Sequence, residues 1–241
     1  MSYRDQITAT FEAALERFNA SAPIRRLTSG EVEIAHYQWI LRQIFHHARE
    51  NPQIQALATV HFRGKQREWV KPFFKHATSE IGHDQLALND LAALGVTTNG
   101  IPDEAPLPDT TALLALPFYL IQHKNPVAYL GYLYFLEFTP TSSGERYLEA
   151  LEAMGVPDEA MSFLLDHTRI DVAHNRLMET YLDGLIAEQS DAAAVCAAIQ
   201  ATALLYENML RGALERADLE LAEQADKCPL PSLDTAAVGA R

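Results

Sequence analysis

The chain has 241 residues, 48% hydrophobic and 21% charged, with a formal net charge of −13. That length is enough for one large domain with a substantial core, and the acidity argues against partners that need their phosphates neutralised, such as nucleic acid or an anionic membrane surface. The two cysteines, Cys196 and Cys228, make neither a disulfide framework nor a CxxC zinc pattern, which fits a reducing compartment.

Ala, Leu and Glu dominate and β-branched clusters are few, so the expected class is all-α, a single bundle of about seven to eight helices. The first residues lack the basic start and apolar run of a signal peptide, and the longest apolar runs fall short of a membrane span. A cytoplasmic protein with no membrane partner is the resulting expectation.

In chain order, residues 3–19 read as a helix with Phe11, Ala14, Leu15 and Phe18 on its apolar face. Residues 21–24 read as a break, and Ser29 as the cap of a second helix that runs to Arg49. Pro52 opens a short helix ending near Phe62, and residues 63–65 make a turn. A long helix is expected over 67–94, kinked at Pro72 and closed by Gly95. Residues 97–109 carry Asn99–Gly100, three prolines and three acids, and read as a surface loop. Helices follow over 110–123, 126–154, 158–182 and 191–222. The domain is expected to span 1–226, with 227–241 an unpacked tail.

Residues 158–182 contain no glycine or proline. Within them His167, Asp171 and His174 stand at i, i+4 and i+7, on one helix face. Two imidazoles and a carboxylate make half of a metal site suited to iron, manganese or zinc. A solvated polar face is the competing reading. The same spacing recurs in His76, Glu80 and His83, and two such stripes on separate helices can converge on a core metal. Glu137 adds a third element. It is the one charge in the apolar run from Val127 to Phe138, and a buried carboxylate needs a metal or a cationic partner such as arginine.

Glu80 and His83 together, then a lone Glu137, then His167, Asp171 and His174 in the order His-x-x-x-Asp-x-x-His: this pattern resembles the haem-oxygenase-like di-iron oxidases and oxygenases. The resemblance covers roughly residues 30–215. It implies a helical fold related to haem oxygenase and to the thiaminase and pyrroloquinoline-quinone biosynthesis proteins. It also implies that these six residues hold two Fe(II) ions, with manganese an alternative, and that O2 is reduced there. The implied partners are O2 and a small organic acid, such as an amino acid with an aromatic or apolar side chain, which is cleaved at a C–C bond, oxygenated at nitrogen or converted to a nitrile. A homodimer is the base-rate expectation.

His76 is surplus to the pattern and is a candidate either to orient Glu80 or to ligate in its own right. Glu207 is a weaker candidate to stand behind the ligands. Candidate substrate contacts are His36, Tyr37, Tyr129, Tyr132, Tyr134, Phe138 and Arg169, although helix packing explains several of the aromatics equally well. Some relatives are disfavoured. Neither cysteine sits where the thiaminase nucleophile would. A haem ligand drawn from His36, His46 or His47 would leave the six internal ligands unexplained. The lysine that one branch places about ten residues after the middle Glu is absent, and Tyr147 stands in that region. Two other classes remain open, a metal-free or haem-type helical binding protein and a non-redox manganese or zinc enzyme.

Overall fold

The computed structural model describes residues 2–227, and for residues 169–174 the backbone without the side chains. The side chains of Arg169, Asp171 and His174, together with Cys228 and the rest of the tail, therefore lie outside the described residues. The described part is an all-α bundle, as the composition led us to expect.

Its helices are α1 (Tyr3–Asn19), α2 (Ala22–Thr28), α3 (Ile34–Ala48), α4 (Asn51–Thr59), α5 (Val70–Ser79), α6 (His83–Ala93), α7 (Pro108–His123), α8 (Tyr129–Ala153), α9 (Ser162–Leu185) and α10 (Gln189–Lys227), with short 3-10 turns between some of them. This is more helices than the expected seven to eight, for two local reasons. Ala20 and Ser21 make a two-residue break: Pro23 sits in the first turn of α2, where its missing N–H costs nothing, and Ser29 closes that helix instead of opening the next. The long helix expected over 67–94 is split by Gly82, whose φ of 102° is left-handed and open to glycine without strain. Pro72 lies in the first turn of α5 and makes no kink there.

The chain is held by helix pairs that each bury an apolar stripe. α10 runs through the bundle against α1, α3, α7 and α8, while α8 packs on α9, and α6 on α3 and α9. α10 is also long and apolar enough to cross a membrane by length and composition, but the bundle takes up its apolar face. α1 begins with a capping box in which Ser2 accepts from the Asp5 N–H and the Asp5 carboxylate accepts from the Ser2 N–H. Its Phe11 meets Tyr134 and Phe135 edge to face, and Phe18 meets Phe135 in the same way. Each such buried ring contributes about 2–3 kcal/mol by area alone. α8 is the element that places the site. Tyr129, Tyr132 and Phe135 fix it in the core, and they carry Glu137 inward with them.

Two of the candidate histidines on α3 have structural partners. The Glu33 N–H donates to Nδ1 of His36, which leaves Nε2–H to donate to the Asp218 carboxylate of α10 at 2.9 Å. Nε2 of His47 lies 2.7 Å from the Tyr132 hydroxyl.

Candidate metal centre

The last turn of α5 and the first of α6 are folded around Gly82 so that three side chains of one short stretch face the same point. His76 lies one turn before Glu80, and His83 opens α6 directly after the turn. The backbone connects them, the Glu80 N–H donating to His76 O and the His83 N–H to Glu80 O. The expected i, i+4, i+7 stripe therefore exists in space, although the helix that was to carry it is broken.

Two groups of donor atoms result, each with its atoms within 4.8 Å of one another. One joins Glu80, His83 and His167, and the other joins His76, Glu80 and Glu137. Glu80 belongs to both, its two oxygens facing opposite ways. Oε2 lies 3.2 Å from Nδ1 of His83, and Oε1 lies 3.6 Å from Nε2 of His76. Nε2 of His76 is also 3.2 Å from Oε1 of Glu137. Glu80 and Glu137 are each only 6% exposed, so two carboxylates are withdrawn from solvent beside three imidazoles.

His167 comes from α9 and meets His83 edge to face, with ring centres 4.9 Å apart. Its Nδ1–H donates to the carbonyl of Phe163 at 2.7 Å, and the Phe163 ring stacks on it at 4.1 Å. That bond fixes the tautomer and leaves Nε2 as a lone pair. Burial pushes the His167 pKa down, outweighing the hydrogen bond to Phe163, which pulls it up, and nearby His83 adds to the lowering. The imidazole is therefore neutral at physiological pH, the form a metal ligand needs.

The donor set is nitrogen and oxygen without thiolate, buried, with one carboxylate placed between two clusters. Such a set fits iron or manganese in a pair of neighbouring positions. Of the sequence candidates, Glu80, His83, Glu137 and His167 are brought together, and His76 joins them on equal terms. Asp171 and His174 stand on α9 one and about two turns beyond His167, with side chains outside the described residues. Glu207 is half-buried on α10 and belongs to neither donor group.

An apolar cavity of about 130 Å³ reaches His167. Phe18, Tyr37, Leu136, Leu151, Phe163 and Tyr206 are among its walls, and among the described residues no Asp, Glu, Lys or Arg lines it. Pro140 is also in the wall. It has no N–H to offer the Leu136 carbonyl one turn back, so α8 is weakened beside the cavity. Tyr37, a sequence candidate for substrate contact, lines this space, its hydroxyl donating to the Ala160 carbonyl. Tyr129 and Tyr132 instead stack on one another in the core, and Tyr134 and Phe138 stack at 4.1 Å near Phe11. His36 is tied to Asp218, and the Arg169 side chain lies outside the described residues.

Sequence reading missed several residues here. Gln55 donates to Nδ1 of His76 at 2.8 Å, Asp166 approaches His83 at 3.9 Å, and Asp90 holds the start of α9. Asp166 directly precedes a stripe histidine and was open to notice. Gln55 and Asp90 carry no local signal.

An all-α bundle with a buried carboxylate and imidazole cluster at its centre defines a candidate metalloprotein with a haem-oxygenase-like fold. The profile of the iron-containing redox enzymes matches residues 38–207, and the chain belongs to that family. Comparison with curated protein sequences returns no match. Among solved structures, the chain is similar to a domain of unknown function with a haem-oxygenase-like fold from Shewanella denitrificans, at 23% identity and a TM-score of 0.81, over 94% of this chain and 97% of that one. It is similar to a TenA homologue from Pseudomonas syringae at 12% identity and 0.73, over 89% and 93%. It is also similar to haem oxygenase-1 from the cyanobacterium Synechocystis in complex with haem, at 12% and 0.69, over 94% and 99%. At these identities the likeness concerns the fold.

Proposed function

We propose that this protein is a non-haem di-iron oxidase or oxygenase that uses O2 to oxidise a small organic acid with an aromatic or apolar side chain. The observation that carries the reading is Glu80, shared between two buried donor groups, with an apolar cavity ending at one of their histidines. Glu80, His83 and His167 would hold one iron, and Glu80 and Glu137 would share a second, with Asp171 and His174 as further ligands. Iron bound there would supply the redox chemistry for O2 reduction.

The chain's own residues do the rest. Burial favours the neutral form of His167, and the Phe163 carbonyl fixes its tautomer. Phe163, Leu136 and Leu151 give the space beside it an apolar wall. The described wall carries no charge and so favours an apolar group over a charged one, which places the acid's carboxylate away from Phe163, Leu136 and Leu151.

The test is anaerobic loading with Fe(II), iron counting, and O2 uptake in the presence of amino acids and fatty acids. Two irons per chain and O2 uptake stimulated by an apolar acid are expected. His174→Ala and Asp171→Ala should lower iron occupancy while helix content stays near wild type. Absence of both iron uptake and O2 consumption would favour a metal-free binding protein. Turnover with manganese or zinc and no O2 would favour a non-redox enzyme.

A further inference from the structure

We propose that His76 is itself a metal ligand, beside Glu80 and Glu137, and that Gln55 selects the imidazole tautomer this requires. The inference rests on the iron reading above and concerns a residue outside the six-residue pattern that the sequence resembles.

The geometry is specific. Nε2 of His76 points between two carboxylates, 3.2 Å from Glu137 and 3.6 Å from Glu80. The ring is 2% exposed and stacks on Tyr181 at 6.2 Å, so its plane is set by the packing. Behind it, α4 brings the 1%-exposed Gln55 to Nδ1, with the amide nitrogen donating at 2.8 Å. In this arrangement Nδ1 accepts, and the single N–H of the neutral ring sits on Nε2, facing the carboxylates. The same orientation leaves Oε1 of Gln55 buried without a hydrogen-bond partner. A buried amide oxygen without a donor costs free energy and calls for a cause.

A cation between the carboxylates would favour the opposite orientation of this amide. Amide oxygen and nitrogen are nearly the same size, so turning the Gln55 amide by half a turn exchanges them without moving a helix. Oε1 then accepts from Nδ1–H, and Nε2 presents a lone pair to the position between Glu80 and Glu137. The ring stays neutral throughout. Its one proton leaves Nε2 and is replaced on Nδ1 by exchange with solvent. Ligating histidines are commonly held in this way by an acceptor on the other nitrogen. Gln55 is thus a positioning residue, whose amide orientation decides whether Nε2 of His76 presents a lone pair to the carboxylates.

The experiment uses full-length protein labelled with 15N-histidine and Zn(II) as a diamagnetic probe. His76 is assigned by the signal lost in His76→Gln. Metal-free protein should show the proton on Nε2 of His76. After Zn(II) the proton should be on Nδ1, and the Nε2 resonance should move. In titrations followed by circular dichroism, His76→Gln and Gln55→Leu should keep their helix content and bind one ion 10–100-fold more weakly. Gln55→Glu, which offers only acceptor oxygens to Nδ1–H, should bind at least as tightly as wild type, a recovery that mere packing would not produce. Wild-type protein that binds Zn(II) while the His76 nitrogens stay unmoved overturns the assignment of His76, even if the variants misfold. Wild-type protein that takes up neither Zn(II) nor iron overturns the metal reading itself.

Discussion

The carboxylate of Asp90 on α6 accepts hydrogen bonds from the backbone N–H and hydroxyl of Ser162, and from the N–H of Phe163, at the start of α9. It is a helix cap supplied from 72 residues away in sequence. Burial pushes the Asp90 pKa up, and the three donors pull it back. Because α6 also begins with His83, and Phe163 holds His167 through its carbonyl, this one carboxylate sets the register that brings the two histidines together.

Asp90→Ala should therefore act on stability and on metal binding at once. Losing the acceptor for two buried N–H groups and a hydroxyl costs about 2–3 kcal/mol. Chemical denaturation measures that loss, and a Zn(II) titration of the folded variant should show weakened binding at the His83 and His167 position. Asp90→Asn keeps one acceptor oxygen and should lie between the two. If Asp90→Ala binds metal like wild type, the register argument fails.

His47 makes stability depend on pH. Burial, with a smaller contribution from His167, pushes its pKa down to about 4 from the ordinary 6.5. The unfolded chain therefore binds a proton between these values that the folded chain refuses. The stabilisation is fully present above pH 6.5 and is lost as pH falls towards 4, amounting to about 3 kcal/mol across the window. Denaturation of metal-free protein at steps from pH 7 to 4 should show this slope in wild type and a flatter one in His47→Gln. Equal slopes would mean that His47 is hydrated in the folded state.

Glu80, His83 and His167, which the fold brings together, could be picked out because metal chemistry limits residue type and helix geometry limits spacing. Glu137 stood out for the same reason, as one acid among Leu, Tyr and Phe. What stayed hidden came from tertiary contact. Gly82 lies inside the helical pattern read over 67–94, yet the left-handed turn there is what folds His83 back towards Glu80. The aromatics of α8 looked like a pocket because they are close to Glu137 in sequence. Tyr129 and Tyr132 sit on the helix face that meets other helices, and the cavity is assembled from α1, α3, α9 and α10 as well. Gln55 finds His76 across 21 residues, and no local pattern announces that pair.

Gly144 is a contact position between α8 and α9. A Cβ placed there would stand 2.3 Å from Oγ1 of Thr168 and 3.1 Å from its Cγ2. Gly144→Ala should push the helices apart at a cost of about 1–3 kcal/mol. Thr168→Ala removes both offending atoms, so the double variant should recover much of that loss. A denaturation cycle on the four proteins should give a coupling of about 1 kcal/mol or more. Additive losses would show that α9 yields freely at this point.

The cavity beside His167 should behave as a dry, shape-limited site. Its volume of about 130 Å³ approaches that of an engineered apolar cavity, about 150 Å³, known to bind benzene. Saturating benzene should raise the melting temperature of wild-type protein, because a ligand that binds only the folded state stabilises it by mass action. Leu151 is 6% exposed and lines this space from α8. Leu151→Phe fills part of it, and should weaken the benzene response while Zn(II) still binds normally at the buried carboxylates. In the loaded enzyme the same variant should lose its largest apolar substrates first, raising KM for them before it touches small ones. A wild-type protein indifferent to benzene would show that the space is wet or closed in solution, and the substrate would then have to reach His167 by another face.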